Sequence, residues 1–224
     1  MNILSSTGMV GGVTAYDPTS TKLAYLQGDI SGSYYYVLWD IEREEPITSI
    51  QVIRDFNAIP RWSPDGEAFA FAPSLYSTLE DHPHYEILSV NKEGIITQLT
   101  NLTDYYQWVY ISDLMWSPDG HHIAFWFSHW KDEKPDFYSI GARYLAVVDI
   151  NDGLVTNYCI PGEKDAAIGV NQYPRPMWSS DSKQIVIQSQ ITENASKTTL
   201  IDLQQEQAFQ IAEDLAPVGW LQSH

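Results

Sequence analysis

The residues best suited to chemistry lie in a few stretches that are rich in histidine and aromatic side chains. His82 and His84 stand two positions apart in "HPHYE", which places both of them on one side of an extended segment together with Glu86. His129 follows in "SHWKDEK". Imidazoles beside a carboxylate can hold a metal ion, but nothing in the sequence sets their spacing in three dimensions. The sequence therefore predicts neither a metal ion nor a cofactor.

A ligand-binding surface is the second kind of site that these stretches support. Large amphipathic rings beside carboxylates suit a peptide, another protein or a sugar. The predicted ligand-binding residues are Tyr105, Tyr106, Trp108, His129, Trp130, Tyr173, Arg175, His82 and His84, with the acids Asp132 and Glu133 beside them. For each ring the alternative is that it folds inward and fills the core of a loop.

Motifs for covalent or nucleotide chemistry are absent from the sequence. There is no Gly-x-Ser-x-Gly nucleophile elbow, P-loop, Gly-rich dinucleotide turn or His-Glu-x-x-His. The single cysteine, Cys159, excludes an intrachain disulfide and a cysteine-based zinc site. It has no local histidine to activate it, so we expect a buried, inert thiol. We predict no catalytic residue, and the chain is more consistent with a binding protein than with an enzyme.

The charge balance narrows the class of partner. Twelve basic residues stand against 29 acidic ones, which gives a net charge of −17. A nucleic-acid-binding surface needs clustered Lys and Arg, and an anionic lipid surface would repel such a chain. We therefore predict a protein or peptide partner, no nucleic acid and no membrane insertion.

One phrase recurs along the chain and must position these residues. It occurs almost unchanged in "RWSPDGEAFAF" (61–71) and "MWSPDGHHIAF" (115–125), and in weaker form in "MWSSDSKQIVI" (177–187) and "AYDPTSTKLAY" (15–25). Ser-Pro-Asp-Gly favours a tight turn, and the alternating apolar run after it favours a strand that is buried on both faces. Aligned copies place an aromatic residue at one position: Tyr16, Trp62, Trp116 and Trp178, with Trp220 as a fifth instance.

Each repeat contains four short apolar runs separated by turns, which predicts four antiparallel strands. A four-stranded sheet that is apolar on both faces is hidden only when copies stack around an axis. The predicted fold class is all-β: a β-propeller of four-stranded antiparallel blades, with four recognisable blades and one extra first strand. We place the blades at about 10–53, 58–100, 112–161 and 175–213, and the extra or closing strand at 216–222, within one domain of residues 1–224.

"WSPDG" followed by an apolar strand and a third strand such as "VVDI" resembles the WD-like repeat of TolB-type β-propeller proteins. It is also similar to the propeller domains of prolyl-oligopeptidase-type and tricorn-type proteases. The resemblance covers about residues 10–220 and implies a propeller fold. With the aromatic loops and the missing catalytic motifs, the first functional hypothesis is a non-catalytic scaffold that binds a protein or peptide. Two alternatives stay open: a metal-assisted lyase or hydrolase acting on an acidic sugar, and the recognition domain of a larger peptidase.

The repeat does not explain how the ring would close, because both ends of the chain supply the first strand of a blade. Three interpretations follow: a piece of a longer protein, a small or irregular ring, or a ring completed by two chains. Unclosed end blades would favour self-association. The N-terminus lacks the pattern of a signal peptide, so localisation is left open. A piece of an exported TolB-like protein would be extracytoplasmic.

The repeat also predicts which connections share a face. Those between strands 1 and 2 and between strands 3 and 4 are short, whereas the others are long and aromatic, so we place the site on the long connections. The recurring aspartates at the turns are interpreted as structural: Asp65, Asp119, Asp181, Asp40, Asp149 and Asp202. Charged residues on the first strands, Arg61, Asp113 and Arg175, would pair across neighbouring blades or bind the end of a ligand.

Overall fold

A computed structural model describes residues 9–28, 33–52, 60–73, 84–106, 108–130, 143–158, 175–192 and 195–220. These residues form four sheets, each of four antiparallel strands in sequential order. A single-turn 3-10 helix, Leu102–Asp104, links the second and third sheets. Within this part of the chain no helix has the length and apolar character needed to cross a membrane.

The strands alternate with turns in the order that the repeat predicts. Sheet 1 contains β1 (Met9–Tyr16), β2 (Lys22–Gly28), β3 (Tyr34–Asp40) and β4 (Glu45–Val52). Sheet 2 contains β5 (Arg61–Trp62), β6 (Ala68–Phe71), β7 (Leu88–Asn91) and β8 (Ile96–Gln98). Sheet 3 contains β9 (Trp108–Trp116), β10 (His122–Trp130), β11 (Arg143–Asp149) and β12 (Val155–Tyr158). Sheet 4 contains β13 (Met177–Trp178), β14 (Gln184–Thr192), β15 (Ala195–Asp202) and β16 (Gln207–Glu213).

The Ser-Pro-Asp-Gly turn is held by its own side chains. The Ser63 hydroxyl donates to Asp65 Oδ1 at 2.6 Å and accepts the amide of Ala68 at 3.1 Å. Asp65 Oδ1 also accepts the amide of Glu67 at 3.0 Å. These hydrogen bonds hold the pKa of the Asp65 carboxyl below its usual value, and the bond from the Ser63 hydroxyl makes the largest contribution. Gly66 occupies the left-handed region at φ 74°, where a side chain would be strained. The structural interpretation of Asp65 is confirmed.

The same bonds recur in the turns of sheets 3 and 4. Ser117 donates to Asp119 at 2.5 Å, and Ser179 donates to Asp181 at 2.7 Å. The turns between the third and fourth strands use an aspartate in sheets 1, 3 and 4, whereas in sheet 2 Asn91 Oδ1 accepts the amides of Glu93 at 3.1 Å and Ile95 at 2.8 Å. The Oδ1 atoms of Asp40, Asp149 and Asp202 accept the amides of Arg43 at 3.0 Å, Asn151 at 2.8 Å and Gln204 at 3.0 Å.

A backbone bond joins the two turns of each sheet, as from Ile150 N to His121 O at 3.0 Å. Equivalent bonds join Ile41 to Thr21, Lys92 to Glu67 and Leu203 to Lys183. All eight turns therefore lie at the same ends of the sheets. We call this side the turn face and the opposite side the loop face. The connections of the loop face are longer, except that only two residues separate β14 from β15, which the repeat did not predict.

The core consists of three apolar clusters, each lying between two successive sheets. Phe69 and Phe71 of β6 face sheet 1, whereas Ala70 belongs to the cluster shared with sheet 3. Opposite Ala70, the larger Phe125 and Phe127 side chains of β10 fill the space between sheets 2 and 3. Both faces of a middle blade are therefore buried, as its apolar second strand predicts.

Tryptophan indoles connect the first strands of successive sheets. Trp62 Nε1 donates to Ala15 O at 2.8 Å, and Trp116 Nε1 donates to Arg61 O at 2.8 Å. Trp178 Nε1 donates to Met115 O at 3.0 Å. Each acceptor directly precedes the repeat aromatic of the neighbouring sheet, so the bond has the same geometry at every interface. The recurring tryptophan is therefore a joint between blades.

The last described segment continues this series. Trp220 Nε1 donates to Met177 O at 3.3 Å, which is the bond that the next blade's tryptophan would make. Residues 215–220 have no strand pairing, and residues 221–222 of the predicted extra strand lie outside the described residues. At the other end Tyr16 is 61% exposed. Among the described residues no pairing closes a ring, and these residues form four blades of an all-β propeller.

Candidate functional site

The hairpin of β9 and β10 extends farther toward the loop face than the repeat predicts. Trp108 pairs with Trp130 and Val109 pairs with His129, so these residues belong to strands. We expected Trp108 and His129 to lie in loops and the third blade to begin at about residue 112. Both residues lie in strands, and β9 begins at Trp108. The apolar alternation of "HIAFWFS" simply continues through His129, and the paired hairpin holds that residue on a rigid element.

The connection before β7 adds a further piece of backbone to this hairpin. His84 forms a parallel bridge with Val109, and Tyr85 N donates to Val109 O at 3.2 Å. Val109 therefore has His84 on one side and His129 on the other. Sheet spacing places the two histidine backbones roughly 10 Å apart. The edge of sheet 3 and the connection from sheet 2 thus form one continuous surface.

Four rings lie together at this edge: Tyr106, Phe127, His129 and Tyr144, which we call the aromatic stack. His129 lies 4.0 Å from Tyr106 with an interplanar angle of 27°. Its other neighbour, Tyr144, is 5.1 Å away at 12°. The imidazole is therefore stacked on both tyrosine rings, and the Phe127 ring lies 5.8 Å from it. Such a set of rings gives a flat, rigid contact area with polar edges.

A buried carboxylate holds the segment that carries Tyr105 and Tyr106. Glu86 is 0% exposed. Its Oε1 accepts the Thr103 amide and hydroxyl, both at 2.7 Å. Its Oε2 accepts the Leu102 amide at 3.0 Å and the Thr100 hydroxyl at 2.5 Å. Four donors satisfy the two buried oxygens of this side chain and fix the start of the 3-10 helix.

This arrangement changes the interpretation of the "HPHYE" stretch. The carboxylate of Glu86 is engaged by the connection that follows sheet 2. Among the described residues no three His, Cys, Asp or Glu side chains lie close enough to hold a metal ion. Glu86 holds the backbone of Leu102 and Thr103, shortly before Tyr105 and Tyr106.

Tyr105 extends from the end of the 3-10 helix and is 77% exposed. It stands next to Tyr106 of the aromatic stack, which is half-buried. An exposed tyrosine beside a rigid ring cluster is a typical contact residue at protein interfaces. Of the described residues on the loop face, this group has the geometry best suited to a ligand.

The structure brings some of the predicted residues together and leaves others undecided. Tyr105, Tyr106, His84 and His129 lie around the β9–β10 hairpin. Trp108 and Trp130 are paired strand residues there, but the positions of their side chains are not described. Arg175 is an exposed residue ahead of β13. Tyr173, His82, Asp132, Glu133 and Cys159 lie outside the described residues.

Two residues of the stack were missed by the sequence interpretation. Phe127 and Tyr144 pair across β10 and β11, so their rings share one face of the sheet. The alternation of Phe125, Phe127 and His129 is the signal that could have found Phe127. Tyr144 follows a long connection, so its pairing with Phe127 could be seen only in the tertiary structure.

Charged side chains form a second group near the propeller axis. Arg61 pairs with Ala70, so it lies on the face of sheet 2 that is directed toward sheet 3. Burial lowers the pKa of the Arg61 guanidinium, nearby Arg175 lowers it further, and Asp113 opposes the shift. The three residues come from three successive blades. They are close enough to act on one another electrostatically.

No protein-family model matches the sequence, and no curated protein is significantly similar to it. Solved structures do match. TolB from Acinetobacter baumannii is 17% identical with a TM-score of 0.54, over 92% of this chain and 44% of that one. The chain has a TolB-like β-propeller fold. The TolB-like propeller also matches the propeller domain of the Trilobed protease from Pyrococcus furiosus, at 14% identity and a TM-score of 0.60, over 95% of this chain and 59% of that one.

A third match is an oligogalacturonate lyase in complex with manganese. It is 13% identical with a TM-score of 0.62, over 93% of this chain and 55% of that one. The TolB-like propeller thus spans roughly half the length of these three proteins. At such low identity the likeness concerns the fold, which hosts many unrelated activities.

Proposed function

We propose that the TolB-like propeller is a non-catalytic scaffold that binds a protein or peptide through its loop face. The observation that carries this proposal is exposed Tyr105 beside the stack of Tyr106, His129 and Tyr144. Buried Glu86 fixes the backbone beneath these rings. Because the surface is formed in advance, a partner would lose little free energy in ordering it.

A pool of fluorescein-labelled random hexapeptides, followed by fluorescence anisotropy, tests the proposal. Tyr105→Ala should weaken binding roughly tenfold, which is the effect of removing a ring at an interface hot spot. Ile95→Ala is the matched control, because Ile95 is also an exposed apolar residue, at 63%, but lies in a turn on the opposite face. The control should bind as the parent does. Equal binding by all three proteins, or none by the parent, contradicts the proposal.

A metal-assisted lyase or hydrolase acting on an acidic sugar is the first alternative. The similarity to the lyase with manganese and the presence of His84 and His129 on either side of Val109 favour it. Calorimetric titration with Mn²⁺ tests it directly. Stoichiometric binding that His84→Ala abolishes, together with cleavage of trigalacturonate, would replace the binding function with this one.

The recognition domain of a larger peptidase is the second alternative. The matching protease propeller supports it, since this chain corresponds to 59% of that domain. The mass of the mature protein isolated from its natural source is the relevant measurement. A mature chain that contains a hydrolase domain with a nucleophile elbow would favour this alternative over an independent scaffold.

A further inference from the structure

We propose that β16, the outermost strand of sheet 4, is a docking edge for an extended, positively charged strand of a partner protein. β16 pairs with β15 on one side, and no described strand pairs with its other side. The amides and carbonyls on that side can hold a fifth strand by main-chain hydrogen bonds. The inference goes beyond the proposed function, because this edge lies on the rim of the fourth blade and not on the loop face.

The first support is that β16 lacks the features that protect the other three outer strands. β8 and β12 are only three and four residues long. β4 has eight residues, but it begins with Glu45 and Pro46, and proline has no amide to donate. β16 has seven residues, Gln207–Glu213, with no proline, lysine or arginine among them. Proteins usually block an edge of this length, so an unblocked one is suited to a partner strand.

The second support is the pair of exposed apolar side chains on this strand. Phe209 is 43% exposed and Ile211 is 55% exposed. Ile211 stands at a bulge, because Thr199 pairs with Gln210 and Thr198 pairs with Ala212. A bulge bends a strand, so we expect regular pairing of the partner with residues 207–210 and an apolar contact at Ile211.

The third support is the charge around the edge, which selects the chemistry of the partner. Residues 198–220 contain the acids Asp202, Glu206, Glu213 and Asp214 and no basic residue. Lys197 pairs with Glu213 in the ladder, which still leaves three negative charges in excess. Glu206 directly precedes β16 and Glu213 ends it, and both are exposed. A strand with lysine or arginine at its two ends complements these charges.

The same charges disfavour a second copy of this chain as the occupant. Two β16 strands related by a two-fold axis would run antiparallel and bring Glu206 of one copy near Glu213 of the other. Like charges directly opposite each other destabilise a sheet. Each chain also carries a net charge of −17. A further blade is not a competitor either, because blades pack on the faces of a sheet and not on its hydrogen-bonding edge.

A pool of strand-forming heptapeptides tests the proposal by fluorescence anisotropy. The fluorescein-labelled peptides have the sequence Lys-Thr-X-Thr-X-Thr-Lys, where X is Val, Ile or Phe. The parent protein should bind this basic pool about tenfold more tightly than a pool whose five central amides are N-methylated, because methylation removes the main-chain donors. A pool with glutamate at both ends should also bind more weakly. Equal binding of the basic and N-methylated pools, or no binding of the basic pool, overturns the inference.

Ile211→Lys locates the interaction on the protein. It removes the apolar contact and adds a charge that repels the ends of the peptide, so the basic pool should bind about fivefold more weakly. Ile96→Lys is the matched control, because Ile96 is 47% exposed and also lies in an outer strand, β8. The control should bind as the parent does. Equal weakening by the two variants would contradict docking at β16.

Glu206→Gln tests the contribution of charge. It should weaken binding of the basic pool severalfold in low salt, and this difference should shrink as salt is added, because Glu206 is exposed. Binding that Glu206→Gln leaves unchanged in low salt would overturn the selection of a basic partner.

Hydrogen exchange in the parent protein gives a direct measurement that needs no variant. Adding the basic pool should slow exchange at alternate amides of residues 207–210 and leave Ile96–Gln98 unchanged. Peptide binding without protection in β16 overturns the docking edge. Sedimentation of the parent without peptide adds a further check: a dimer that Ile211→Lys dissociates would assign the edge to a second copy and overturn the basic partner.

The edge and the loop face fail independently of each other. Tyr105→Ala should leave binding of the basic pool unchanged, since Tyr105 lies on the loop face between sheets 2 and 3. Binding of the basic pool that Tyr105→Ala abolishes and Ile211→Lys preserves would overturn the docking edge and support the loop face. Protection of β16 together with no effect of Tyr105→Ala on any peptide would support the edge and contradict the proposed function.

Discussion

The turn face of this propeller repeats from blade to blade, whereas the loop face differs in every blade. On the turn face one set of bonds recurs, from Ser63 to Asp65, from Ser117 to Asp119 and from Ser179 to Asp181. On the loop face a single buried carboxylate, Glu86, organises one connection. Repetition belongs to the architecture, because every blade needs a corner. A binding site is needed once, so it is expected among the residues that do not recur.

The two faces also differ in the distance over which their bonds act. The side-chain bonds within one turn join residues two to five positions apart, as from Asp65 to Glu67 and from Ser63 to Ala68. The bonds of Glu86 reach 14 to 17 positions along the chain. Loss of one turn bond should therefore stay local, while loss of Glu86 should release a whole connection. Four predictions follow this difference from the largest effect to the smallest.

Glu86→Ala should have the largest effect, because it leaves the amides of Leu102 and Thr103 buried without an acceptor. We expect a loss of about 3 kcal/mol in the free energy of unfolding, measured with urea. Hydrogen exchange should accelerate at Leu102 and Thr103 and stay unchanged at Gly66. Glu45→Ala, at an exposed strand residue, is the control. A loss below about 1 kcal/mol would mean that the loop face does not depend on this carboxylate.

Trp116→Phe should have the next largest effect. It removes the indole bond to Arg61 O and leaves a carbonyl without its donor, so we expect a loss of about 1–2 kcal/mol. Trp62→Phe breaks the same bond to Ala15 and should match it. Tyr16→Phe alters an exposed ring and should stay within about 0.5 kcal/mol. Equal effects at all three positions would contradict the view that the indoles join the blades.

Acid should weaken the turn face through its aspartates. Hydrogen bonds lower the pKa of both Asp65 and Asp202. The largest contribution comes from the Ser63 hydroxyl for Asp65 and from the Gln205 amide for Asp202. Their contribution to stability is complete above the ordinary value of 3.8 and is lost as the pH falls below it. The urea midpoint should therefore decrease from pH 5 to pH 3. Asp65→Asn should show a smaller decrease, and Glu45→Gln should follow the parent; identical slopes in all three would refute the assignment.

Replacing serine by glycine at the last position of the turn should change the stability least. Ser20 and Ser182 both lie at φ 59°, where Gly66 and Gly120 stand in other blades. Ser20→Gly should relieve strain and stabilise the protein by about 0.5 kcal/mol. Ser182→Gly should not, because the Ser182 hydroxyl accepts the amide of Asp119 from the neighbouring blade at 3.0 Å. Thermal denaturation of the pair decides this, and equal stabilisation would show that the cross-blade bond adds nothing.

Much of the fold could be predicted because its signals are local. The turn residues determine the corners, and the alternation around Phe69 and Phe125 predicts strands that are buried on both faces. The geometry of the candidate site was predicted less completely. Tyr105, Tyr106 and His129 were proposed from residue type and stay candidates, and β9 and β10 proved longer than expected. Strand length at the loop face depends on pairing with the partner strand, such as Val109 with His129, which local patterns do not report.

The sequence by itself determined the blade, its corners and the face on which a site could lie, because those features depend on residues within one hairpin. Only the tertiary structure decided that Tyr106, His129 and Tyr144 stack and that Glu86 holds the connection beneath them. It also placed Arg61 and Arg175 within electrostatic reach of each other. These contacts join segments that are far apart in the sequence, and tertiary packing, which the periodicity of one strand cannot specify, selects them.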